Sequence, residues 1–289
     1  MKKHDFLKKK RKTVPSKAKP ILRQSDSRTS AIELIISKYP EIKNFKGLYI
    51  EKFLSDGMLL THIYPKKCVL VSDNPFIKEF YTDINYKTVF DIKMLDRFFY
   101  KDGIETDRKN KVFENLIKYL NYEIRHKDIG ITNWYELSRA AIFYSICRMA
   151  SSSYSIKYTD NSLSEIKMSS SVKRIINVID DDFKIDYFNG VNGEEIRVVS
   201  SEVETVPVKD DFMFVNLPKK YDSNDALEFA SEFMECDNGV FLMEDTSFNR
   251  QIFEKFKIIS KKKFYTPDNI ETSPKNVIAV VKHKGKIYD

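Results

Sequence analysis

Short apolar runs that favour β-strands alternate with segments of helical periodicity along this chain. Residues 47–50 and 68–71 are two such runs, and both are bounded by turn-forming residues. Residues 54–64, between the two runs, are predicted to form a helix. Because parallel neighbouring strands need a crossover of a dozen or more residues, this order of strand, helix and strand predicts a parallel βαβ unit.

The same alternation returns in the second half of the chain. A helix is predicted at residues 226–234. Four further runs are interpreted as strands, at 183–187, 211–215, 239–243 and 277–281. The sequence therefore predicts an α/β protein in which helices cover one sheet.

Helices rather than strands are predicted between residues 86 and 149. Apolar residues at helical spacing indicate one helix around 113–124, and Asn133 is a candidate cap for a second helix over 137–147. A shorter helix at 32–36 precedes Pro40, which ends it. Serines at 151–153 and 169–171 flank a polar segment that is predicted to be a loop. The sheet is therefore expected to carry a helical insertion.

Positive charge is concentrated at the N-terminal end. The chain has a net charge of +7, yet residues 1–23 hold eight Lys and two Arg against one acidic residue, so they carry +9 and the rest carries −2. This pattern predicts a disordered basic arm over residues 1–27 that binds nucleic acid, chiefly DNA. A localisation signal and a site for an acidic protein partner are the alternatives. The densest cations are Lys8, Lys9, Lys10, Arg11 and Lys12.

Cysteine and histidine are too few and too scattered for a disulfide framework or a metal site. The three cysteines form no CxxC pair, and none of the four histidines pairs with Cys, Asp or Glu at ligand spacing. No apolar run approaches the ~18 residues of a membrane helix, and the charged N-terminus lacks the apolar segment of a signal peptide. We therefore expect a soluble, intracellular, cytoplasmic protein with no metal and no membrane partner.

Five short segments have the order and spacing of motifs in one enzyme family. They are residues 26–28 (Asp-Ser-Arg), 49–57 (Tyr-Ile-Glu-Lys-Phe-Leu-Ser-Asp-Gly), 72–75 (Ser-Asp-Asn-Pro), 139–144 (Arg-Ala-Ala-Ile-Phe-Tyr) and 211–219 (Asp-Phe-Met-Phe-Val-Asn-Leu-Pro-Lys). Across residues 25–283 the chain thereby resembles the Dam-type DNA adenine-N6 methyltransferases. That family typically has Gly-Gly-Lys, Tyr-x-Glu-Pro-Phe-x-Gly-Gly-Gly, Asp-Ile-Asn-Pro, an Arg-Ala-Ala helix and Asp-Pro-Pro-Tyr at these places.

The resemblance implies a Rossmann-like methyltransferase sheet built from residues 28–85 and 178–289. The helical insertion at 86–177 then resembles a DNA-recognition subdomain. The implied cofactor is S-adenosylmethionine, and the positions that match the cofactor motifs are Arg28, Glu51, Phe53, Gly57 and Asp73. An acidic residue at the end of the second strand, here Asp73, can bind ribose hydroxyls, while a helix or turn cap is the alternative role.

The chain departs from the family where the chemistry needs particular residues. Ser55 and Asp56 replace two glycines whose missing β-carbon lets the backbone approach the cofactor. In the degenerate catalytic motif, Asn216 can accept a hydrogen bond from the adenine amine, but Lys219 replaces the aromatic platform for a flipped base. The full motif is Asn216, Leu217, Pro218 and Lys219.

These departures predict a catalytically inactive relative that binds nucleic acid, because a fold can be retained after its catalytic residues are lost. An active S-adenosylmethionine-dependent DNA adenine-N6 methyltransferase is the first alternative. A protein-interaction or assembly subunit is the second.

Two further sets of residues are candidates for contact with nucleic acid. Lys167, Lys173 and Arg174 match the region where the family lines its DNA groove, with a solvated loop as the alternative. The aromatic residues at 80–81 and 98–100 are interpreted as core, with base stacking as the alternative.

Overall fold

The structure, a computed structural model, contains one large sheet and a small hairpin. The residues that it describes are 20–22, 28–54, 56–100, 103–131, 136–151, 157–159, 162–170, 182–218, 223–255 and 277–288. Their strands, in chain order, are β1 (Tyr49–Lys52), β2 (Lys67–Val71), β3 (Lys157–Thr159), β4 (Ser162–Ser164), β5 (Glu195–Val199), β6 (Phe212–Asn216), β7 (Asn238–Glu244), β8 (Val277–His283) and β9 (Lys286–Tyr288).

The large sheet has seven strands in the order β5-β2-β1-β6-β7-β8-β9. The strands from β5 to β7 pair in parallel, whereas β8 pairs antiparallel with both β7 and β9. The parallel pairing of β1 with β2 confirms the predicted βαβ unit. A mostly parallel sheet flanked by helices confirms the α/β class and is compatible with a Rossmann-like fold.

Helices precede, interrupt and follow the strands. They are α1 (Thr29–Lys38), α2 (Leu60–Ile63), α3 (Pro75–Asp83), α4 (Tyr86–Tyr100), α5 (Thr106–Leu120), α6 (Arg139–Met149), α7 (Asp182–Phe188), α8 (Ser223–Glu235) and α9 (Ser247–Lys255), with 3₁₀ helices at Pro40–Lys43 and His126–Ile129. Among the described residues, no helix is both long enough and apolar enough to cross a membrane.

The two faces of the sheet pack against different helices. Buried residues of α1 and of α3 to α6 form the larger core with Tyr49, Phe212 and Phe214. Met213 and Val215 alternate with these residues along β6, so they face the other side and pack with α8. Every residue of β6 is buried, as expected of a central parallel strand that is covered on both faces.

One predicted strand is wrong. Residues 183–187 lie in α7, although Phe183, Ile185 and Tyr187 alternate with polar residues. An alternation this short fits either a strand or one side of a helix, so periodicity alone does not separate them. The sequence analysis also did not identify four strands. Two of them, β3 and β4, lie in the polar segment that was predicted to be a loop, so that prediction is wrong. The other two are β9 and β5, and β5 is an edge strand with charged Glu195 and Arg197 on its exposed side.

Two predicted helix limits are also wrong. The helix expected at 54–64 is reduced to α2, because a turn with positive φ at Phe53 and Gly57 comes first. Helix α6 begins after Ser138, whose hydroxyl accepts a hydrogen bond from the Ala141 amide at 3.3 Å. Asn133, the predicted cap, lies outside the described residues.

Candidate functional site at the carboxyl edge of the sheet

The strand order places one crevice of the sheet where ligands of α/β proteins bind. The chain runs from β1 to β2 on one side, and β6 later pairs with the opposite side of β1. Such a reversal of strand order opens a crevice beyond the carboxyl ends of the strands, here β1 and β6. The turn after β1 and residues 216–218 after β6 form this edge.

The side chain of Arg28 fills the β6 side of the crevice. Arg28 is 7% exposed, and its Nη1 donates to Asn216 Oδ1 at 2.6 Å and to the Leu242 carbonyl at 3.2 Å. Its Nη2 donates to the Leu217 carbonyl at 2.9 Å. The guanidinium therefore joins the ends of β6 and β7, and the amide oxygen of the predicted catalytic Asn216 already accepts a charge-assisted hydrogen bond.

The turn after β1 is covered by a segment that precedes α1. The amides of Ile21 and Leu22 donate to the Asp56 carbonyl at 2.8 Å and 3.4 Å, and both side chains are fully buried. The Asp56 carboxylate is buried too and accepts from the Met58 amide at 2.9 Å. The prediction of disorder is therefore wrong for residues 20–22, whereas residues 23–27 of the predicted arm lie outside the described residues.

Gly57 matches a glycine that lets the backbone approach the cofactor closely in the family. In this protein the space next to Gly57 is occupied by a side chain of the chain itself. A β-carbon added at Gly57, where φ is 63°, would lie 2.3 Å from the hydroxyl oxygen of Tyr81. Tyr81 is 2% exposed, and its hydroxyl has no hydrogen-bond partner among the described residues. A glycine is therefore required at position 57, because any β-carbon there would clash with the Tyr81 side chain.

Glu51 is a buried carboxyl near the end of β1, and its pKa is raised. Its Oε2 accepts a hydrogen bond from the Tyr49 hydroxyl at 2.8 Å, and both side chains are almost fully buried. Burial raises the pKa of Glu51 to about 8; the Tyr49 hydrogen bond acts against this, and the nearby Asp56 charge adds to it. At neutral pH the Glu51 side chain is therefore uncharged.

Asp73 is an exposed residue just after β2, and it bonds to the loop that follows β5. Its Oδ1 accepts from the Ser201 amide at 2.8 Å. The cap of α3 is the next residue, Asn74, whose Oδ1 accepts from the amides of Phe76 at 2.9 Å and Ile77 at 3.3 Å. The helix-cap role considered for Asp73 is therefore wrong, and any ribose hydroxyl would compete with the Ser201 amide.

Arg139, the first residue of the segment that matches the Arg-Ala-Ala motif, connects three helices. Its Nε lies 2.9 Å from Glu79 Oε1, and its Nη2 donates to the Leu120 carbonyl at 2.9 Å. The guanidinium also lies 4.2 Å from the ring centroid of Tyr122. This motif therefore joins α6 to α3 and to the end of α5.

The other predicted site residues are distributed between this edge and the surface. Phe53 packs edge-on against Phe229 of α8, with ring centroids 4.9 Å apart. Lys167 is exposed on the loop after β4, away from any described contact with the crevice residues. Outside the described residues lie Lys8, Lys9, Lys10, Arg11, Lys12, Lys173, Arg174 and Lys219.

Sequence reasoning missed the residues that fill the crevice. The apolar pair Ile21-Leu22, after Pro20 in a charged segment, was the available signal for a packed segment. Of the aromatic residues considered for base stacking, Phe80, Tyr81 and Phe99 are buried in the core, as interpreted, whereas Phe98 and Tyr100 are half-buried. Nothing in the sequence indicated that Tyr81 contacts Gly57.

A separate groove of about 500 Å³ lies beside the edge strand β5. Its walls include Tyr81, Phe188, Ile196, Val198 and Val203. Among the described strands, β5 pairs only with β2, so it is the edge strand of the described sheet.

The described residues contain no group of three or more His, Cys, Asp or Glu side chains placed to hold a metal ion. No protein-family model and no curated protein matches the chain.

Proposed function

We propose that this chain is a methyltransferase-like protein that binds nucleic acid and does not transfer methyl groups. The observation that supports this most directly is the 2.6 Å hydrogen bond from Arg28 to Asn216 Oδ1. Methylation of an adenine amine in this fold would need that oxygen to accept from the amine. Breaking a buried charge-assisted bond to free it costs on the order of a few kcal/mol.

The residues of the crevice do not fit S-adenosylmethionine. The Tyr81 hydroxyl fills the space next to Gly57, and the Asp56 carbonyl already accepts hydrogen bonds from the amides of Ile21 and Leu22. We therefore derive no reaction step through this cofactor.

The nucleic-acid partner is inferred from charge. Residues 1–23 carry +9, and the remaining residues carry −2, so the arm supplies the attraction for phosphate. DNA is the form that the family resemblance suggests.

Two assays of the full-length protein test the two parts of this proposal. Incubation with DNA and S-adenosylmethionine labelled in its methyl group is expected to leave the adenines unlabelled. Labelled adenine above the protein-free blank would establish the active methyltransferase instead.

Salt-dependent binding to duplex DNA tests the arm. Replacing Lys8, Lys9, Lys10, Arg11 and Lys12 by alanine is expected to lower the slope of log affinity against log salt by about four to five, because each duplex phosphate contact contributes about 0.9. A truncated variant that lacks the arm should lack residues 1–19 only, since Ile21 and Leu22 are buried. Equal slopes for the variant and the parent would assign the arm to a protein partner or a targeting signal.

A protein-interaction role is the second candidate, and the groove beside β5 favours it. An extended segment of a partner could add a strand to this edge and place apolar side chains against Phe188 and Val203. A protein that copurifies after nuclease treatment and is lost from the Val203→Glu variant would support this role. Retention by that variant would contradict it.

A further inference from the structure

Strand β5 forms one edge of the large sheet. It pairs in parallel with β2, and no other strand in the described part of the chain pairs with it. All five of its residues are exposed or half-buried, whereas every residue of the central strand β6 is buried. An edge strand of this kind can pair with a strand of another chain.

The hydrogen bonds between β5 and β2 show which backbone groups of β5 face away from the sheet. The Glu195 amide donates to the Lys66 carbonyl at 2.8 Å. The Val199 carbonyl accepts from the Ser72 amide at 3.0 Å. Because the backbone groups of successive strand residues point in opposite directions, the odd-numbered residues of β5 bond to β2. The amide and the carbonyl of Ile196 therefore point away from β2.

The side chains of β5 give the strand an apolar face and a charged face. Ile196 and Val198 pack against the larger core. Glu195 and Arg197 alternate with them, so they lie on the opposite face, and both are exposed. Two charges of opposite sign thus lie two positions apart on one face of an edge strand.

Both charged groups can still bind another charge. Glu195 Oε1 lies 3.1 Å from Lys67 Nζ, but both side chains are more than half exposed, and an exposed pair of this kind contributes little to stability. The second carboxylate oxygen of Glu195 has no partner among the described residues. The Arg197 guanidinium forms no ion pair within the described part of the chain.

The order of these two charges is self-complementary. When two copies of β5 pair antiparallel about a two-fold axis at Ile196, residue 195 of each copy lies opposite residue 197 of the other. Glu195 then faces Arg197 twice, and cross-strand pairs of opposite charge are stabilising. An axis at residue 197 would instead place Arg197 opposite itself, which is destabilising. Charge therefore selects the axis at Ile196.

The backbone groups agree with this register. Antiparallel strands alternate between residue pairs that exchange two hydrogen bonds and pairs whose Cα atoms are only about 4.5 Å apart. Ile196, whose backbone groups point outward, forms the hydrogen-bonded pair at the axis. Positions 195 and 197 then form the close pairs. An axis between two residues would place an outward-facing residue opposite an inward-facing one, and it is therefore excluded.

Apolar side chains beside the strand add area to such an interface. The groove of about 500 Å³ is lined by Phe188, Ile196 and Val198. Val203, on the loop after β5, also lines it and is 45% exposed. A chain that pairs with β5 removes apolar surface of this groove from water, which is favourable.

We propose that this chain forms a symmetric homodimer through β5, in which Glu195 of each copy pairs with Arg197 of the other. A second copy fits this edge because it carries both charges in the order that a two-fold axis requires. The two large sheets become one continuous sheet, and neither β5 edge stays unpaired. The inference goes beyond the proposed function, because the dimer requires no nucleic acid.

Sedimentation velocity of the full natural chain measures the dimer directly. A species of twice the monomer mass is expected at physiological salt, and its fraction should rise with protein concentration. The protein is treated with nuclease, and its ultraviolet absorbance spectrum is recorded. Copies that are held together by a shared nucleic acid are thereby excluded.

Charge reversal tests the register. Arg197→Glu places a carboxylate opposite Glu195 twice, and Glu195→Arg places a guanidinium opposite Arg197 twice. Each variant alone is expected to raise the dimer dissociation constant about tenfold or more. A mixture of the two variants has opposite charges at both pairs. It is expected to form a heterodimer with a dissociation constant within about threefold of the natural dimer.

Two further variants separate the interface from the fold. Lys286→Glu makes a charge reversal on β9, at the other end of the sheet, and should leave the dissociation constant within about twofold of that of the natural chain. Ile196→Pro removes an outward amide and no bond to β2, so a folded monomer is expected. Circular dichroism checks that each variant is folded.

A natural chain that is monomeric at every concentration overturns the proposal. Single charge variants that dimerise as well as the natural chain overturn it too, as does a mixture of them that stays monomeric. A monomer that copurifies with a different protein bound at this edge assigns β5 to that partner and also overturns the dimer. Each of these results leaves the proposed binding of nucleic acid unaffected, because that binding has its own assay.

Discussion

The carboxyl edge of the sheet and the outer face of α4 use polar and apolar residues in opposite ways. At the edge, polar side chains such as Arg28, Glu51 and Asn216 are buried and bonded to one another or to the backbone. On α4, Phe90 and Arg97 are exposed while the acidic residues are buried. The side chains at the crevice that would hold a ligand in this fold are thus bonded within the protein, whereas those on the outer face of α4 are exposed to solvent.

The difference has a physical consequence that mutations can test. A buried polar group that loses its partner costs free energy of unfolding, because it was desolvated in order to fold. An exposed ring or cation costs little when it is removed. Substitutions at the edge should therefore lower stability more than substitutions of exposed side chains on α4.

Arg28→Ala should have the largest effect on stability. It leaves Asn216 Oδ1 and the carbonyls of Leu217 and Leu242 without this donor, so we expect a loss of about 3–5 kcal/mol in the free energy of unfolding. Chemical denaturation measures it. Arg250→Ala is the matched control: its side chain is 42% exposed and pairs with Asp245, and about 1 kcal/mol or less is expected. Equal losses of unfolding free energy in the two variants would mean that the buried hydrogen bonds of Arg28 contribute no more to stability than an exposed ion pair.

Gly57→Ala should cost about 2–4 kcal/mol, because it combines a positive φ with a clash against the Tyr81 hydroxyl. Gly103→Ala isolates the backbone contribution, since φ there is 82° and no atom lies within 4 Å of the added β-carbon; about 1 kcal/mol is expected. Denaturation curves of both variants give the difference between their free energies of unfolding, which measures the clash with Tyr81.

Tyr81→Phe removes a buried hydroxyl that bonds to no group in the described part of the chain, so it should be neutral or stabilising. Combined with Gly57→Ala, it should recover part of the stability lost by the alanine, which a double-mutant cycle measures as coupling. Purely additive effects would show that the two residues do not contact each other.

Glu51 should make stability depend on pH. Its pKa is raised by burial to about 8 in the folded state, so folding favours the protonated form, and stability falls as the pH rises from the usual range of a glutamate toward 8. We expect a decline of about 1 kcal/mol per pH unit near pH 6–7 from this group. Denaturation of Glu51→Gln at several pH values should show a flatter profile; an unchanged profile would exclude Glu51 as the cause.

Phe90→Ala should have the smallest effect on stability, below about 1 kcal/mol, because the ring is 53% exposed. A large loss of stability would place Phe90 with the cohesive residues and remove the contrast between α4 and the edge.

Much of the sheet could be predicted from the sequence, because buried parallel strands are apolar runs bounded by turn residues. β1, β2, β6, β7 and β8 were all predicted within a few residues of their limits. The edge strand β5 escaped prediction because its exposed side carries Glu195 and Arg197, so no apolar run marks it.

The filling of the crevice could not be predicted, since it depends on contacts between residues far apart in the chain. Arg28 and Asn216 are 188 positions apart, and the contact between Gly57 and Tyr81 depends on how α3 packs. The sequence did show that Ser55 and Asp56 replace glycines, which indicated a weakened cofactor site without revealing what fills it.

Calorimetric titration of the natural chain with S-adenosylmethionine tests the central claim, which is that the crevice is filled by the protein's own side chains. We expect no binding stronger than millimolar, which corresponds to about −4 kcal/mol. A micromolar dissociation constant, about −8 kcal/mol, would show that Arg28, Tyr81 and the segment at residues 20–22 leave room for the cofactor, and it would contradict this account.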